Sequence, residues 1–213
     1  MSIYNRWVYK YPPRPDNAIP PEMLQFYERK GWVGQFKKNG TCSIIGISPE
    51  KDFIAMNRHH ENHKTWGLND YLKAELIRLF PEEVWYVLVA EILHLKTTDI
   101  KNTIYIFDML VWQSEFLFDS TFISRQEILD GRLITKAEEK THYVCDPEGK
   151  GKIWYAKRFE KGFLNLWMSI EDPKVDEGLV LKNPEGKLRS CRGAKDNSSW
   201  QVKCRKKHKN YSF

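Results

Sequence analysis

The sequence predicts an α+β fold of mainly antiparallel sheets flanked by helices. Short runs rich in β-branched and aromatic residues dominate, helical patterns are interspersed among them, and hairpin-like connections outnumber crossover helices. At 213 residues and 41% hydrophobic content, the chain can bury one sizeable core. No internal repeat, low-complexity tract or clear linker divides it. One domain is expected over residues 21–213, behind an extended arm over 1–20.

Each element follows from its residues. The proline-rich "YPPRPDNAIPPEM" reads as the arm, since proline fixes the backbone and removes donors. "PPEMLQFYERKG" is a short helix opened by proline and closed by Gly31. "WVGQFK", "TCSIIGI" and "DFIAMNR" are short, β-rich and separated by turn residues, and are expected as consecutive antiparallel strands. Asn39-Gly40 would let the chain reverse tightly between the first two. In "LNDYLKAELIRLF", Leu68, Tyr71, Leu72, Leu76 and Leu79 recur at helical spacing behind an Asn69 or Asp70 cap. "VWYVLVAEILHL" and "NTIYIFDMLVW" are apolar runs that read as central strands. "SRQEILDG" reads as a short helix capped by Ser124 and stopped at Gly131, and "YAKRFEKGFLNLWMSI" puts Phe159, Phe163, Leu166, Trp167 and Ile170 on one helical face. "EGLVLK", "KLRSC" and "SSWQVKCR" return to strands.

Composition narrows the function. No apolar run approaches the roughly 18 residues that cross a bilayer, and the N-terminus lacks the apolar centre of a secretory signal. A cytoplasmic protein is expected. Cys42, Cys145, Cys191 and Cys204 are scattered without a CxxC pair, which favours neither a zinc site nor a disulfide framework. His59, His60 and His63 lack companion ligands and read as exposed or phosphate-proximal. The formal charge of +6 and the pI near 9.0 favour a polyanionic partner. The basic run Lys203, Arg205, Lys206, Lys207, His208 and Lys209, with Tyr211 and Phe213 beyond it, can hold phosphates and stack a base, or serve simply as a solvated tail.

Two acidic residues need partners. Glu91 lies in an otherwise apolar strand and Glu177 opens "EGLVLK"; each is either an ordinary strand-end residue or a buried carboxylate, which when ionised is costly unless paired. With Lys37, Lys182 and Lys203 they form the set that a nucleoside triphosphate and its metal need: lysines for phosphate, carboxylates for magnesium or ribose hydroxyls.

The order of these residues resembles the nucleotidyltransferase domain shared by ATP-dependent DNA ligases, RNA ligases and mRNA-capping enzymes. "KKNG" is similar to the family's K-x-D/N-G, with Lys37 at the adenylated lysine and Gln35, Phe36, Asn39 and Gly40 around the nucleotide. Arg58 in "AMNRHH" falls at the ribose-proximal arginine, Glu91 in "VAEIL" at the ribose-contacting glutamate, and Phe107 in "IYIFDML" at the aromatic that stacks on the purine. "DEGLVLK" matches the fourth motif, with Glu177 as the metal-proximal carboxylate and Lys182 on the phosphates; "WQVKCR" matches the fifth, with Lys203 on the α-phosphate. The resemblance runs from Lys37 to Arg205 and implies a nucleotide site between the sheets, ATP with Mg2+ (or Mn2+), and catalytic roles for Lys37, Lys182 and Lys203. Each motif alone is short; their order and separation carry the resemblance.

The implied chemistry is ligation of 5'-phosphate to 3'-hydroxyl ends through lysyl-AMP, acting on nicked duplex DNA or RNA as a monomer, with Arg205, Lys206, Lys207 and Lys209 gripping the nucleic acid. Attack needs Lys37 as a free amine, which desolvation and neighbouring cations favour; Lys38, on the other side of the strand, is expected to be solvated. The chain departs from the family pattern at Cys42, where DNA ligases commonly carry arginine, at Asn39 for the commoner Asp, at Gln35 for a glutamate near adenine, and in the fifth motif, where Gln201 and Arg205 flank Lys203. No OB-fold domain is read in it, so a partner protein supplying a clamp is an alternative to the domain working alone. "FDMLVWQSEFLFDSTFISRQEIL" is similar to DNA ligases more than to most RNA ligases and favours DNA nick sealing. The small chain would suit a virus or phage, acting in host cytoplasm in replication or repair. RNA ligation, a capping-type guanylyltransferase using GTP, and a silent nucleic-acid-binding module are the competing readings.

Overall fold

The computed structural model describes residues 3–188 and 197–206, which form two sheets bordering one cleft. The larger sheet holds β3 (Thr41–Ile47), β4 (Phe53–Asn57), β5 (Tyr86–Leu93), β6 (Thr103–Trp112), β7 (Glu115–Phe116), β8 (His142–Val144) and β9 (Ile153–Ala156), in the order β4-β3-β5-β6-β9-β8 with β7 against β6. The smaller holds β1 (Arg14–Ala18), β2 (Val33–Lys38), β10 (Asp176–Lys182) and β11 (Asn197–Arg205), in the order β1-β11-β10-β2. Within these sheets only β6–β9 and β1–β11 run parallel, so the class is α+β and mainly antiparallel. The helices are α1 (Leu24–Arg29), α2 (Asp70–Leu79), α3 (Phe122–Leu133) and α4 (Phe163–Met168). No helix among the described residues is long and apolar enough to cross a membrane.

Each sheet has its own core. Leu72, Leu76 and Leu79 of α2 and Phe122, Leu129 and Leu133 of α3 join β5 and β6 in the larger one. Nearly every residue of β5 and β6 is buried, which is why both strands read as continuous apolar runs instead of alternating. Leu24, Phe36, Phe163, Leu179, Leu181 and Val202 tie α1 and α4 to the smaller sheet, and each such side chain contributes about 1.5–3 kcal/mol when fully buried. The Asn69 side chain caps α2 by accepting from Leu72 N at 2.9 Å. A buried ion pair pins α3 to β6: Arg125 Nε and Nη2 donate to Asp108 Oδ1 and Oδ2 at 2.8 and 2.9 Å.

Four details differ from the sequence reading. First, β2 and β3 are not a hairpin: β2 pairs with β10 and β3 with β4 and β5, so Asn39-Gly40 carries the chain from one sheet to the other. Second, α3 starts at Phe122 behind a Thr121 cap, not Ser124, and runs through Gly131 to Leu133, because packing of Leu129 and Leu133 outweighs one glycine's cost. Third, residues 155–170 are not one helix. Tyr155 and Ala156 end β9, Phe159 and Gly34 exchange backbone hydrogen bonds at 2.8 and 2.9 Å, and α4 begins only after Gly162, at φ 77°. Fourth, the proline-rich segment is extended but joins the sheet, as β1 along β11. Of "KLRSC", Arg189, Ser190 and Cys191 lie outside the described residues, as does the run from Lys207 to Phe213.

Candidate active site

A bulge creates the central pair of the cleft. Lys38 pairs with Asp176 and Lys37 with Gly178, so Glu177 is the extra residue in β10. Gly178 makes this feasible: its φ is +151°, and a Cβ there would lie 2.0 Å from Cys204 O. Glu177, 7% exposed, consequently reaches Lys37 Nζ at 2.8 Å and Arg205 Nε at 3.1 Å through one oxygen.

The crossover after β2 places the second carboxylate. Gly40 is outside the left-handed region, so it is not required for a turn angle as the sequence reading held. It is required for close approach: a Cβ would sit 2.5 Å from Ile92 O and 2.6 Å from Glu91 Cγ. Gly40 N instead donates to Glu91 Oε1 at 3.1 Å, and the Lys96 ammonium donates to Gly40 O. Burial pushes the Glu91 carboxyl above its ordinary value, opposed by Lys37 and Lys96.

The far end is aromatic and apolar. Lys182 Nζ lies 5.0 Å from the Phe107 ring centroid and 4.5 Å from that of Phe122, and burial lowers its pKa to about 8. Beside it, Gln126 Nε2 donates to Phe107 O at 3.2 Å and Gln126 Oε1 accepts from Gln35 Nε2 at 3.0 Å. That chain leaves Gln35 Oε1 buried without a partner.

The cleft between these groups has a volume of about 580 Å3. Arg14, Lys37, Arg58, Lys96, Lys182, Lys203 and Arg205 border it, against Glu91 and Glu177. The excess positive charge is felt inside: burial first, then Arg205, Arg14 and Lys37, lowers the pKa of Lys203. Burial and Glu91 push the Cys42 thiol to about 12, so it stays protonated.

Neither a family model nor a curated protein matches the sequence. Its shape does match solved proteins. A mycobacterial DNA ligase D complexed with ATP shares 11% identity at a TM-score of 0.60, over 92% of this chain and 60% of that one. The ATP-dependent DNA ligase of bacteriophage T7, also with ATP, gives 15% and 0.56 over 89% and 67%. An archaeal ATP-dependent RNA ligase gives 14% and 0.51 over 93% and 48%. The chain has the fold of ATP-dependent ligase adenylation domains. It spans 60% of the length of the mycobacterial ligase chain.

On this ligase fold, the residues singled out from the sequence mostly converge. Gln35, Lys37, Gly40, Arg58, Glu91, Phe107, Glu177, Lys182, Lys203 and Arg205 all border the cleft. Phe36 borders it too, but packs in the smaller core, 5.7 Å from the Phe159 ring centroid. Asn39 does not join them: its side chain donates to Lys174 O at 3.1 Å. Lys206 sits 4.0 Å over the Trp167 ring, away from the cleft, and Lys207 and Lys209 lie outside the described residues.

The expectation for Lys38 is overturned. It is 4% exposed, 2.7 Å from Asp176, donates to Thr141 Oγ1 at 2.8 Å, and lies between the rings of Tyr105 and Trp154. Alternation sends it away from Lys37, but that side is interior. Arg14, Lys96 and the Gln126 amide were missed. A polar amide at helical spacing from Phe122, Leu129 and Leu133 was a signal for Gln126; for Arg14 and Lys96 the sequence held none.

Proposed function

We propose that the protein is an ATP-dependent polynucleotide ligase working through lysyl-AMP, with nicked DNA as the favoured substrate. The observation that carries the reading is Lys37 Nζ, 2.8 Å from Glu177, in a cation-rich cleft with an aromatic ring at its far end. The fold shared with ATP-dependent ligases supports it.

In the first step the free amine of Lys37 attacks the α-phosphorus of ATP, and the proton it sheds leaves with the pyrophosphate or to water. A P–N bond forms, the bond from that phosphorus to the bridging oxygen breaks, and pyrophosphate leaves. Lys182 and Lys203 offset charge on the phosphate oxygens, Phe107 stacks on the base, and Glu91 takes a ribose hydroxyl. A 5'-phosphate oxygen then attacks the lysyl-AMP phosphorus, breaking P–N and restoring Lys37. Last, a 3'-hydroxyl attacks the activated 5'-phosphate, AMP leaves, and a phosphodiester joins the ends.

The donors fit magnesium carried in with the nucleotide. Among the described residues no group of three His, Cys, Asp or Glu could hold a metal, and Mg2+ needs only one or two carboxylates when phosphates and waters complete its shell. Glu177 would hold it, and the ion would neutralise phosphate charge.

The test is labelling with α-labelled ATP and, separately, GTP, in magnesium, comparing wild type with Lys37→Ala on a denaturing gel, then chasing the label onto nicked DNA or nicked RNA. A label from ATP that is absent in the variant and moves to DNA is expected. Preferential transfer to RNA would make it an RNA ligase, a GTP label would make it capping-like, and no label from either would refute the enzyme reading.

A further inference from the structure

The N-terminal segment borders the cleft and is anchored on both sheets. Tyr4 is 1% exposed, edge-on to Trp85 and Phe116. Trp7 lies over Gly46 of β3 so closely that a Cβ there would be 2.3 Å from its ring. Tyr9 donates to Asn57 O at 2.8 Å and stacks on His60 with centroids 4.2 Å apart, holding the turn that carries Arg58. On the other sheet, Ile19 N donates to Lys203 O at 2.9 Å, and Lys203 Nζ lies 3.5 Å from Pro15 O. Between these anchors Pro12, Pro13, Arg14 and Pro15 border the cleft. Three prolines fix the backbone, so this wall is stiff and Arg14 is presented at little entropic cost.

We propose that this strap is part of the site and that Arg14 binds a phosphate group there. The proposal rests on the ligase reading. A guanidinium matches phosphate oxygens through two parallel donors. Arg14, opposite Asn197 on the strand beside β11, precedes the Pro15 carbonyl that Lys203 Nζ approaches to 3.5 Å, near enough that its charge, with those of Arg205 and Lys37, acts on Lys203. The phosphate belongs either to the nucleotide or to the 5' end being joined.

The experiment uses Arg14→Gln and Arg14→Met, the second retaining the aliphatic stem, with Arg6→Gln as the control, since Arg6 is exposed on the same strap outside the cleft. The variant that melts with wild type is the one read. If Arg14 holds the nucleotide, the ATP concentration for half-maximal Lys37 labelling rises about tenfold. If it holds the 5' end, labelling is normal and joining of a pre-adenylylated nick falls by about the same factor. Equality with wild type in both assays overturns the proposal. Should wild type not label at all, the ligase reading fails by itself, and equilibrium binding of ATP and of a 5'-phosphorylated nicked duplex to wild type and variant decides Arg14: equal affinities for both overturn its role.

Discussion

Breaking the Asp108–Arg125 pair is expected to destabilise the protein severely. The two side chains are 1% and 0% exposed, bonded through two parallel contacts, and the remaining Arg125 donor reaches Ser120 O at 2.8 Å and Gly186 O at 3.3 Å. Arg125→Met leaves the Asp108 carboxylate with Met109 N, at 2.9 Å, as the one donor the structure still gives it. Removing one partner of a buried pair costs about 3–5 kcal/mol, because the other charge stays behind unpaired. An unfolding entropy of about 2.1 cal/mol/K per residue gives this chain about 0.45 kcal/mol/K. The melting temperature should fall by about 7–11 °C. Differential scanning calorimetry on wild type, Arg125→Met, Asp108→Leu and the double variant tests this. The double variant should lose clearly less than the two singles together, since it strands no charge. A fall below about 2 °C for Arg125→Met, or additive losses in the cycle, would refute the reasoning.

Two further outcomes follow from the cleft. Burial holds Lys182 at about 8 against an ordinary 10.5, so its buried charge costs stability below pH 8. That cost is relieved as pH rises toward 10.5, because the folded form sheds the proton before the unfolded form does. ATP binding runs oppositely: affinity measured by titration calorimetry should decline above pH 8, and Lys182→Arg, which keeps its charge, should flatten the decline; an alkaline limb unchanged in the variant would assign it elsewhere. Gln126 is expected to set base selectivity, since its bond to Phe107 O turns its own oxygen to Gln35 and leaves Gln35 Oε1 as an acceptor, suited to the 6-amino group of adenine. Gln126→Leu, which frees that amide to rotate, should reduce the preference for ATP over GTP in Lys37 labelling about tenfold; an unchanged ratio would discard this role.

Local pattern made parts of the fold legible. β5 and β6 announced themselves because burial of nearly every residue leaves a continuous apolar run, and α2 because Asn69 and its leucines agree. Pairing was not legible. The partner of β2 is β10, about 140 residues later in sequence, while the turn signal at Asn39-Gly40 pointed to its neighbour. A helical period over Phe159, Phe163, Leu166, Trp167 and Ile170 was real for Phe163, Leu166 and Trp167 in α4, but Ile170 follows the helix and Phe159 precedes it, its backbone bonded to Gly34 and its ring edge-on to Phe36. Of the site, the residues quoted for the family resemblance border the cleft except Asn39; Arg14 was not foreseen, since its place depends on a parallel pairing with the last strand.

The same limit explains why Lys37-Lys38 could not be sorted by charge alone. Two adjacent lysines face two adjacent carboxylates, Asp176 and Glu177, on an antiparallel partner, so a one-residue slip of β2 along β10 in either direction would set one lysine and one carboxylate opposite uncharged residues. Which lysine is the interior one is decided in other elements. The interior position has Thr141 Oγ1 and two ring faces fitted to an ammonium, while the cleft position shares its carboxylate with Arg205 and opens toward Lys203. Each environment fits one of the two lysines, and a buried charge pair can specify the register of a strand because a slip would strand its charges. The Lys38–Asp176 pair is therefore expected to hold the register that brings Lys37 to the cleft, where the bulge at Glu177 sets the carboxylate 2.8 Å from it. Lys38→Met with Asp176→Leu, which strands no charge, should lower Lys37 labelling if the pair has this role and leave it unchanged if it does not.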